Sequence, residues 1–369
     1  APNLLLGAAK DKPNEKLNIG IIGSGGRGSA NMRGVASENI VALCDVNGQT
    51  LAASQKKYPK AKAYFDWRKL LEDKSIDAVT VSTADHCHAL AAVAAMRAGK
   101  HVYCEKPLAH SVHEARVMRE TFAKSKVATQ MGTQIHATDN YRRVVELVQS
   151  GAIGPVREAH VWCSRTINPI GAPVLERQSP PDWFHWDEWQ GPAPDRYHNQ
   201  GYWKGGNLNW NRRWDYGNGV LGDMGSHLID LPWWALELTT PLTCEAHGPK
   251  ADAVACPPWM RVTWEHAARK GRAALEVPVK VVWYHGGRSK RDRPAIETGM
   301  DLGKWGNGIL FVGDKGMLLA DYGKRFLLPK EKFAGHKAPK PWIAKSLGHH
   351  QEWIHAAKTG APTLCNFEY

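Results

Sequence analysis

The sequence predicts an α/β domain with a doubly wound parallel sheet, followed by an α+β domain built on an open, mainly antiparallel sheet. Three observations carry this. Short apolar runs alternate with helix-patterned stretches over the first third of the chain. A glycine cluster sits at the first strand–helix junction. After residue 132, β-patterned runs separated by glycine and turn residues take over. At 369 residues the chain exceeds one ordinary hydrophobic core and fits two domains.

Leu17 to Gly23 is an apolar run closed by glycine, as a strand covered on both faces would be. A helix from Gly28 to about Val35 follows, then a strand at Ile40 to Leu43, a helix at Leu51 to Tyr58, a short helix at Asp66 to Leu71 and a strand at Ala78 to Val81. The alanine-rich stretch His88 to Arg97 has high helix propensity and stops at Gly99, before a strand at His101 to Cys104. A helix at Val112 to Lys124 leads into a strand at Val127 to Met131. Strands separated by helices are parallel, because each crossover helix must pack back on the sheet. Farther on, a helix at Asn140 to Gln149 ends at Gly151, and β runs appear at Val156 to Cys163, Val262 to Glu265, Val279 to Tyr284 and Ile309 to Val312. The division expected is an extension at 1–16, a nucleotide domain at 17–132 and a second domain at 133–369, the last with a Trp-rich loop at 168–218.

Hydrophobic content of 43% and charged content of 23% are those of a globular protein and argue against disorder. No apolar run approaches the ~20 residues that span a bilayer, so no membrane partner is expected. The opening Ala-Pro-Asn-Leu-Leu-Leu reads as what remains after a signal peptide is removed, and an arbitrary boundary reads equally well. Seven cysteines without a C-x-x-C pair read as buried thiols and not as a disulfide framework or zinc site. Export then requires folding first, as twin-arginine export permits, with a cytoplasmic location as the alternative. The net charge of +12 permits an anionic partner, but the densest cluster, Arg288 to Arg293, reads as a solvated loop, and no nucleic acid is expected.

Gly23-Ser24-Gly25-Gly26-Arg27-Gly28 matches G-x-G-x-x-G between a strand and a helix. Its glycines permit a tight turn and close approach of a pyrophosphate to the positive end of the helix. A glycine turn that merely joins two elements is the plainer reading. Asp45 closes the second strand about 20 residues later, where an acidic side chain bonds the adenosine ribose, and the two features together predict a Rossmann domain. A carboxylate there repels the extra phosphate of NADP, and no Arg or Lys follows it directly, so NAD is the cofactor expected. Arg27 reads either as a phosphate contact or as a surface helix residue.

Residues 83–108, from Thr83-Ala-Asp-His-Cys-His88 through Glu105-Lys106-Pro107, resemble the signature of the Gfo/Idh/MocA oxidoreductases, as do Gly132-Thr-Gln-Ile-His136 and Gly219-Val-Leu-Gly-Asp-Met-Gly-Ser-His227. Ala84 stands where the family usually has proline, and Tyr369 ends the chain where relatives continue, which bears on oligomer contacts. The resemblance implies a nicotinamide-dependent dehydrogenase or ketoreductase acting on a sugar, cyclitol or glycoside, assembled as a homodimer or homotetramer. A glycoside-cleaving enzyme that oxidises its sugar transiently with retained NAD is the alternative within the family.

Such chemistry needs a positioned acid/base beside the hydride acceptor. Lys106, at the carboxyl end of a strand where ligands bind in open α/β sheets, is the first candidate, and a solvated surface lysine is the plainer reading. Asp223 and His227, spaced i, i+4, share a face if their stretch is helical, and the resemblance assigns them to the substrate hydroxyls. Thr83, His86, His88 and Glu105 are expected to line the cofactor, with helix capping as the other reading of the histidines and no metal implied. Trp183, Trp203, Arg213 and Trp214 in the aromatic loop read either as a sugar-stacking platform or as a small core that stiffens the loop.

Overall fold

The computed structural model describes residues 15–166, 175–205, 207–269, 275–286 and 292–369. Most of the 1–16 extension, the start of the Trp-rich loop and residues 288–291 of the basic cluster lie outside the described residues. The chain forms two compact units, one from the described parts of 1–133, 173–218 and 347–369, the other from those of 134–172 and 219–346.

In the first unit β1 (Asn18–Ile22), α1 (Gly26–Gly34), β2 (Asn39–Cys44), α2 (Gly48–Lys57), β3 (Lys62–Tyr64), α3 (Trp67–Leu71), β4 (Ala78–Val81), α4 (Asp85–Arg97), β5 (His101–Cys104), α5 (Val112–Lys124) and β6 (Thr129–Met131) alternate as expected. The six strands are all parallel in the order β3-β2-β1-β4-β5-β6, the doubly wound arrangement that opens a crevice at the carboxyl ends of β1 and β4. Local chemistry sets the helix starts. The Asn47 side chain accepts from the amides of Gln49 (3.0 Å) and Thr50 (3.1 Å) to open α2, and Ser111 with Glu114 forms a capping box on α5. The sequence reading omits β3 because its three residues are exposed or half-buried and carry no apolar run.

Two stretches after residue 132 cluster in space with the first unit. Residues 175–218, with the short helices α7 (Trp186–Gln190) and α8 (Asn207–Trp210), belong to the first unit. Their rings, Phe184, Trp186, Tyr202 and Tyr216, bury one another and Val46, and their backbone bonds the segment after β2. The C-terminal helix α11 (His349–Thr359) also belongs there, burying Trp353 and Ile354 against Leu17, Ile19 and Tyr103. An amphipathic helix settles on whichever apolar surface needs covering, and sequence distance does not enter that choice.

The second unit contains α6 (Asp139–Gln149), β7 (Val156–Cys163), α9 (Gly219–Leu228), α10 (Asp230–Ala235), β8 (Thr243–His247), β9 (Met260–His266), β10 (Val279–His285), β11 (Asn307–Gly313), β12 (Gly316–Ala320) and β13 (Arg325–Leu328). Its seven-stranded open sheet runs β13-β12-β11-β7-β10-β9-β8. Among its described strands only the β7–β10 pair is parallel. Residues from α6, α9 and α10, among them Tyr141, Val145, Val220 and Leu231, form its main core with Val161, Trp283 and Phe311. Six cysteines are buried as expected; Cys244 departs from this and is exposed, because all five residues of the edge strand β8 are exposed. Among the described residues no helix is long and apolar enough to cross a membrane.

Candidate active site

The loop from β1 to α1 has the shape a pyrophosphate requires. Gly23 has φ +81°, and a Cβ there would lie 2.5 Å from the Ser82 carbonyl oxygen; a Cβ at Gly28 would lie 1.8 Å from that of Gly23. Only glycine admits this approach. Helix α1 starts from Gly25 with no side-chain cap and no acidic residue in its first turn, so the positive end of the helix faces no carboxylate of its own. The segment after β2 presents Asp45, whose Oδ2 accepts from the amides of Ser24 (2.8 Å) and Gly25 (3.2 Å) and whose Oδ1 accepts from Asn47 (2.9 Å). Burial pushes the Asp45 carboxyl up from its ordinary pKa, and these bonds pull against the rise. The glycine cradle, the uncapped helix end and the placed carboxylate fit a dinucleotide with a free ribose diol.

At the end of β5, Glu105 is 4% exposed, and its Oε1 accepts from Arg27 Nε (3.0 Å) and Asn31 Nδ2 (2.9 Å). Arg27, exposed on α1 as its surface reading expects, also holds the Glu105 carboxylate. Asn31, absent from the sequence reading, also donates to Ser82 Oγ (2.9 Å) and so ties α1 to the ends of β4 and β5. Its signal was available: a polar residue on the buried side of α1. Lys106 is half-buried and follows directly.

His86 and His88 act behind the crevice. His88 Nδ1 lies 2.7 Å from the Pro107 carbonyl and Nε2 3.0 Å from that of Thr83, linking two candidate cofactor segments through a ring 1% exposed. His86, also 1% exposed, sets Nε2 3.0 Å from the Trp189 carbonyl and Nδ1 3.3 Å from that of Tyr216. Burial pushes its pKa down to about 4. Both rings are enclosed by neighbouring carbonyls and side chains and link the segments they touch.

In the aromatic excursion, Trp183, Trp203 and Arg213 pack against neighbouring rings. Trp203 stacks on Phe184 at 4.0 Å and meets Trp183 edge-on at 5.9 Å. Arg213 is 5% exposed, with its guanidinium 4.9 Å from the centre of the Tyr202 ring. Trp214 alone of the four is well exposed, at 40%.

In the second unit, α9 is helical across its motif, so Asp223 and His227 do share a face. Asp223 is 4% exposed, and Arg165, just beyond β7, donates Nη1 to its carboxylate. The buried hydroxyl of Tyr141 donates to the His227 carbonyl at 2.9 Å, and the half-buried His227 ring lies edge-on to Tyr322 at 6.4 Å. A buried His136–Asp230 pair, 3.0 Å apart, ties the Gly132–His136 motif to the start of α10. Arg165 and Tyr322 escaped the sequence reading because neither belongs to a motif and each reaches α9 only through the tertiary fold.

Residues 17–133 match the family model described as oxidoreductase family, NAD-binding Rossmann fold, and residues 140–272 match the same family's C-terminal alpha/beta domain. The chain belongs to the Gfo/Idh/MocA oxidoreductase family, and its first unit carries that family's NAD-binding domain. An inositol 2-dehydrogenase of Salmonella paratyphi B is 35% identical over 150 residues, 39% of this chain and 45% of that protein. A levoglucosan dehydrogenase of Pseudarthrobacter phenanthrenivorans is 24% identical over 229 residues, 59% of this chain and 50% of that protein. The chain thus spans about half the length of these relatives. Among solved structures, levoglucosan dehydrogenase in complex with NADH and L-sorbose shares the fold with a TM-score of 0.61 at 17% identity, over 96% of this chain and 92% of that one. The WlbA dehydrogenase from Bordetella pertussis, in complex with NADH and UDP-GlcNAcA, does so with a TM-score of 0.64 at 16% identity, over 96% and 91%.

Proposed function

We propose that the chain oxidises a secondary alcohol of a sugar or cyclitol, or reduces the matching ketone, with NAD as hydride carrier. The observation that carries this reading is the pairing of an NAD-binding domain bearing Lys106 with a helix that sets Asp223 and His227 on one face. Bound in the first unit, NAD supplies the hydride acceptor. The Gly23–Gly28 loop holds its pyrophosphate and Asp45 its adenosine ribose, while Arg27 and Asn31 fix Glu105 and, through it, the start of the Lys106 segment.

Removing hydride from a carbinol carbon leaves a carbonyl only if the hydroxyl proton departs as well. Lys106 and His227 are the groups proposed to move that proton, each by the acid/base chemistry of its side chain. Asp223, ion-paired with Arg165, accepts from the substrate hydroxyls and orients them. The relatives named above are dehydrogenases of a cyclitol and an anhydrosugar, which favours polyhydroxylated rings over simple alcohols. A homodimer or homotetramer is the assembly expected, with light scattering as its check.

The test is incubation with NAD and a panel of cyclitols, hexoses and glycosides, followed by NADH absorbance. Accumulation of NADH that Lys106→Ala abolishes is the expected result. No NADH from any compound, or turnover unchanged in Lys106→Ala, overturns the reading.

A further inference from the structure

We infer that the aromatic excursion, residues 175–218, is part of the cofactor-binding machinery: a strap that couples the loop holding the adenosine ribose to the loops after β4 and β5, with His86 as the positioning residue through which the coupling passes. The inference concerns the NAD-binding unit alone and stands independently of the substrate reading.

The excursion is anchored at one end on the residues that follow Asp45. The Gly48 amide donates to the Trp183 carbonyl (2.8 Å) and the His185 amide to the Val46 carbonyl (2.9 Å), with a bridge between Asn47 and Phe184. Phe65, just after β3, stacks on His185 with ring centroids 3.9 Å apart. Because Asn47 also donates its amide to Asp45 Oδ1 at 2.9 Å, the strap reaches the ribose carboxylate through a single residue.

At the other end it is anchored on α4 and on the segment after β5. His86 lies between the Trp189 and Tyr216 carbonyls, and Asn218 Nδ2 donates to the Ala109 carbonyl at 3.2 Å. Gly191 packs so closely on α4 that a Cβ there would lie 2.8 Å from Cys87 Sγ. Between the two anchorages runs a continuous aromatic cluster centred on Phe184, Trp186, Tyr202 and Tyr216. Close-packed rings have few alternative arrangements and pass displacement from one anchorage to the other. A loop that served only to link domains would need one anchorage; this one is bonded to the segments that follow β2, β4 and β5, on the carboxyl edge of the sheet where a dinucleotide binds.

The neutral His86 imidazole has one N–H for two carbonyls, so the ring holds Trp189 or Tyr216 by a hydrogen bond and the other by packing. Removing it frees the strap at the β4 end while leaving Asp45 and its bonds in place.

The test measures binding of ADP, which carries the adenosine half alone, by titration calorimetry, alongside NAD and in the absence of substrate. His86→Ala is expected to weaken ADP about fivefold to tenfold, in step with NAD, although ADP reaches only the glycine loop and Asp45. Gly191→Ala, which pushes the strap away from Cys87 and leaves His86 intact, should do the same and serves if His86→Ala does not fold. Amide exchange in residues 183–189 should slow when ADP binds the wild-type protein. ADP affinity unchanged in a folded variant, with NAD alone weakened, would show a local role for His86 and overturn the coupling. Exchange in the strap indifferent to ADP would overturn it equally.

Discussion

The two sheets of this protein place their candidate chemistry in opposite ways. The parallel sheet delivers it in short segments at strand ends: Gly23–Gly28 after β1, Asp45 after β2, Thr83 after β4 and Lys106 after β5. Each residue lands where it does because a neighbouring strand stops there. The mixed sheet delivers Asp223 and His227 from a helix lying on its face, and holds them with groups far away in sequence. Arg165 meets Asp223 across 58 positions and Tyr141 meets His227 across 86. The lesson is that a strand-end site is written in local motifs, whereas a face-mounted site depends on the packing of the whole sheet.

The largest effect should come from the strand-end lysine. Lys106→Ala is expected to lower kcat by about 10²- to 10⁴-fold, the usual loss on removing a general acid/base, with NAD affinity by fluorescence titration within about twofold of wild type. A comparable loss of NAD binding would mean that the lysine holds the cofactor instead.

Next comes a test of how local the first unit really is. Trp353, on the C-terminal helix and 0% exposed, packs on the sheet beside β1. Trp353→Ala should cost about 3–5 kcal/mol in denaturant unfolding and reduce the protein's capacity to be stabilised by NAD. Unchanged stability would show that the parallel sheet folds without its distant helix.

Asp45→Ala should weaken NAD by about tenfold to a hundredfold, as expected when a charged acceptor of ribose hydroxyls is lost, and narrow the preference over NADP. Calorimetric titration of both cofactors reads the ratio, and an unaltered ratio would remove Asp45 from cofactor choice.

The buried histidines predict a pH dependence. His86 in the first unit and His285 in the second are each held neutral by burial, with pKa lowered from 6.5 to about 4. Between those values the unfolded chain binds protons that the folded chain refuses. Stability is therefore fully present above about pH 6.5 and falls as the pH is lowered toward 4, by on the order of 2–3 kcal/mol for His86. Urea unfolding at pH 7, 5.5 and 4.5 measures it, and His86→Ala should show a shallower decline than the wild type.

The smallest effect belongs to Trp214, the exposed ring of the excursion. Trp214→Ala should alter stability by less than about 0.5 kcal/mol. A rise in KM for the best substrate of the panel would make it a substrate contact, and unchanged kinetics would leave it a surface residue.

Much of this protein was determined locally. Short apolar runs located β1, β4 and β5 within a residue or two, the glycine run Gly23–Gly28 marked the turn from β1 to α1, and i, i+4 spacing put Asp223 and His227 on one helix face. These are consequences of backbone periodicity and of glycine's freedom, which act over a few residues. What only the tertiary structure decided is where uncommitted apolar surface goes. The excursion around Trp186 and the helix around Trp353 joined the first unit, the exposed strand β8 added itself to a sheet edge without any apolar pattern, and Arg27 turned to Glu105 while Arg165 turned to Asp223. Packing and ion pairing depend on proximity in space, and proximity between distant segments exists only once the chain has folded.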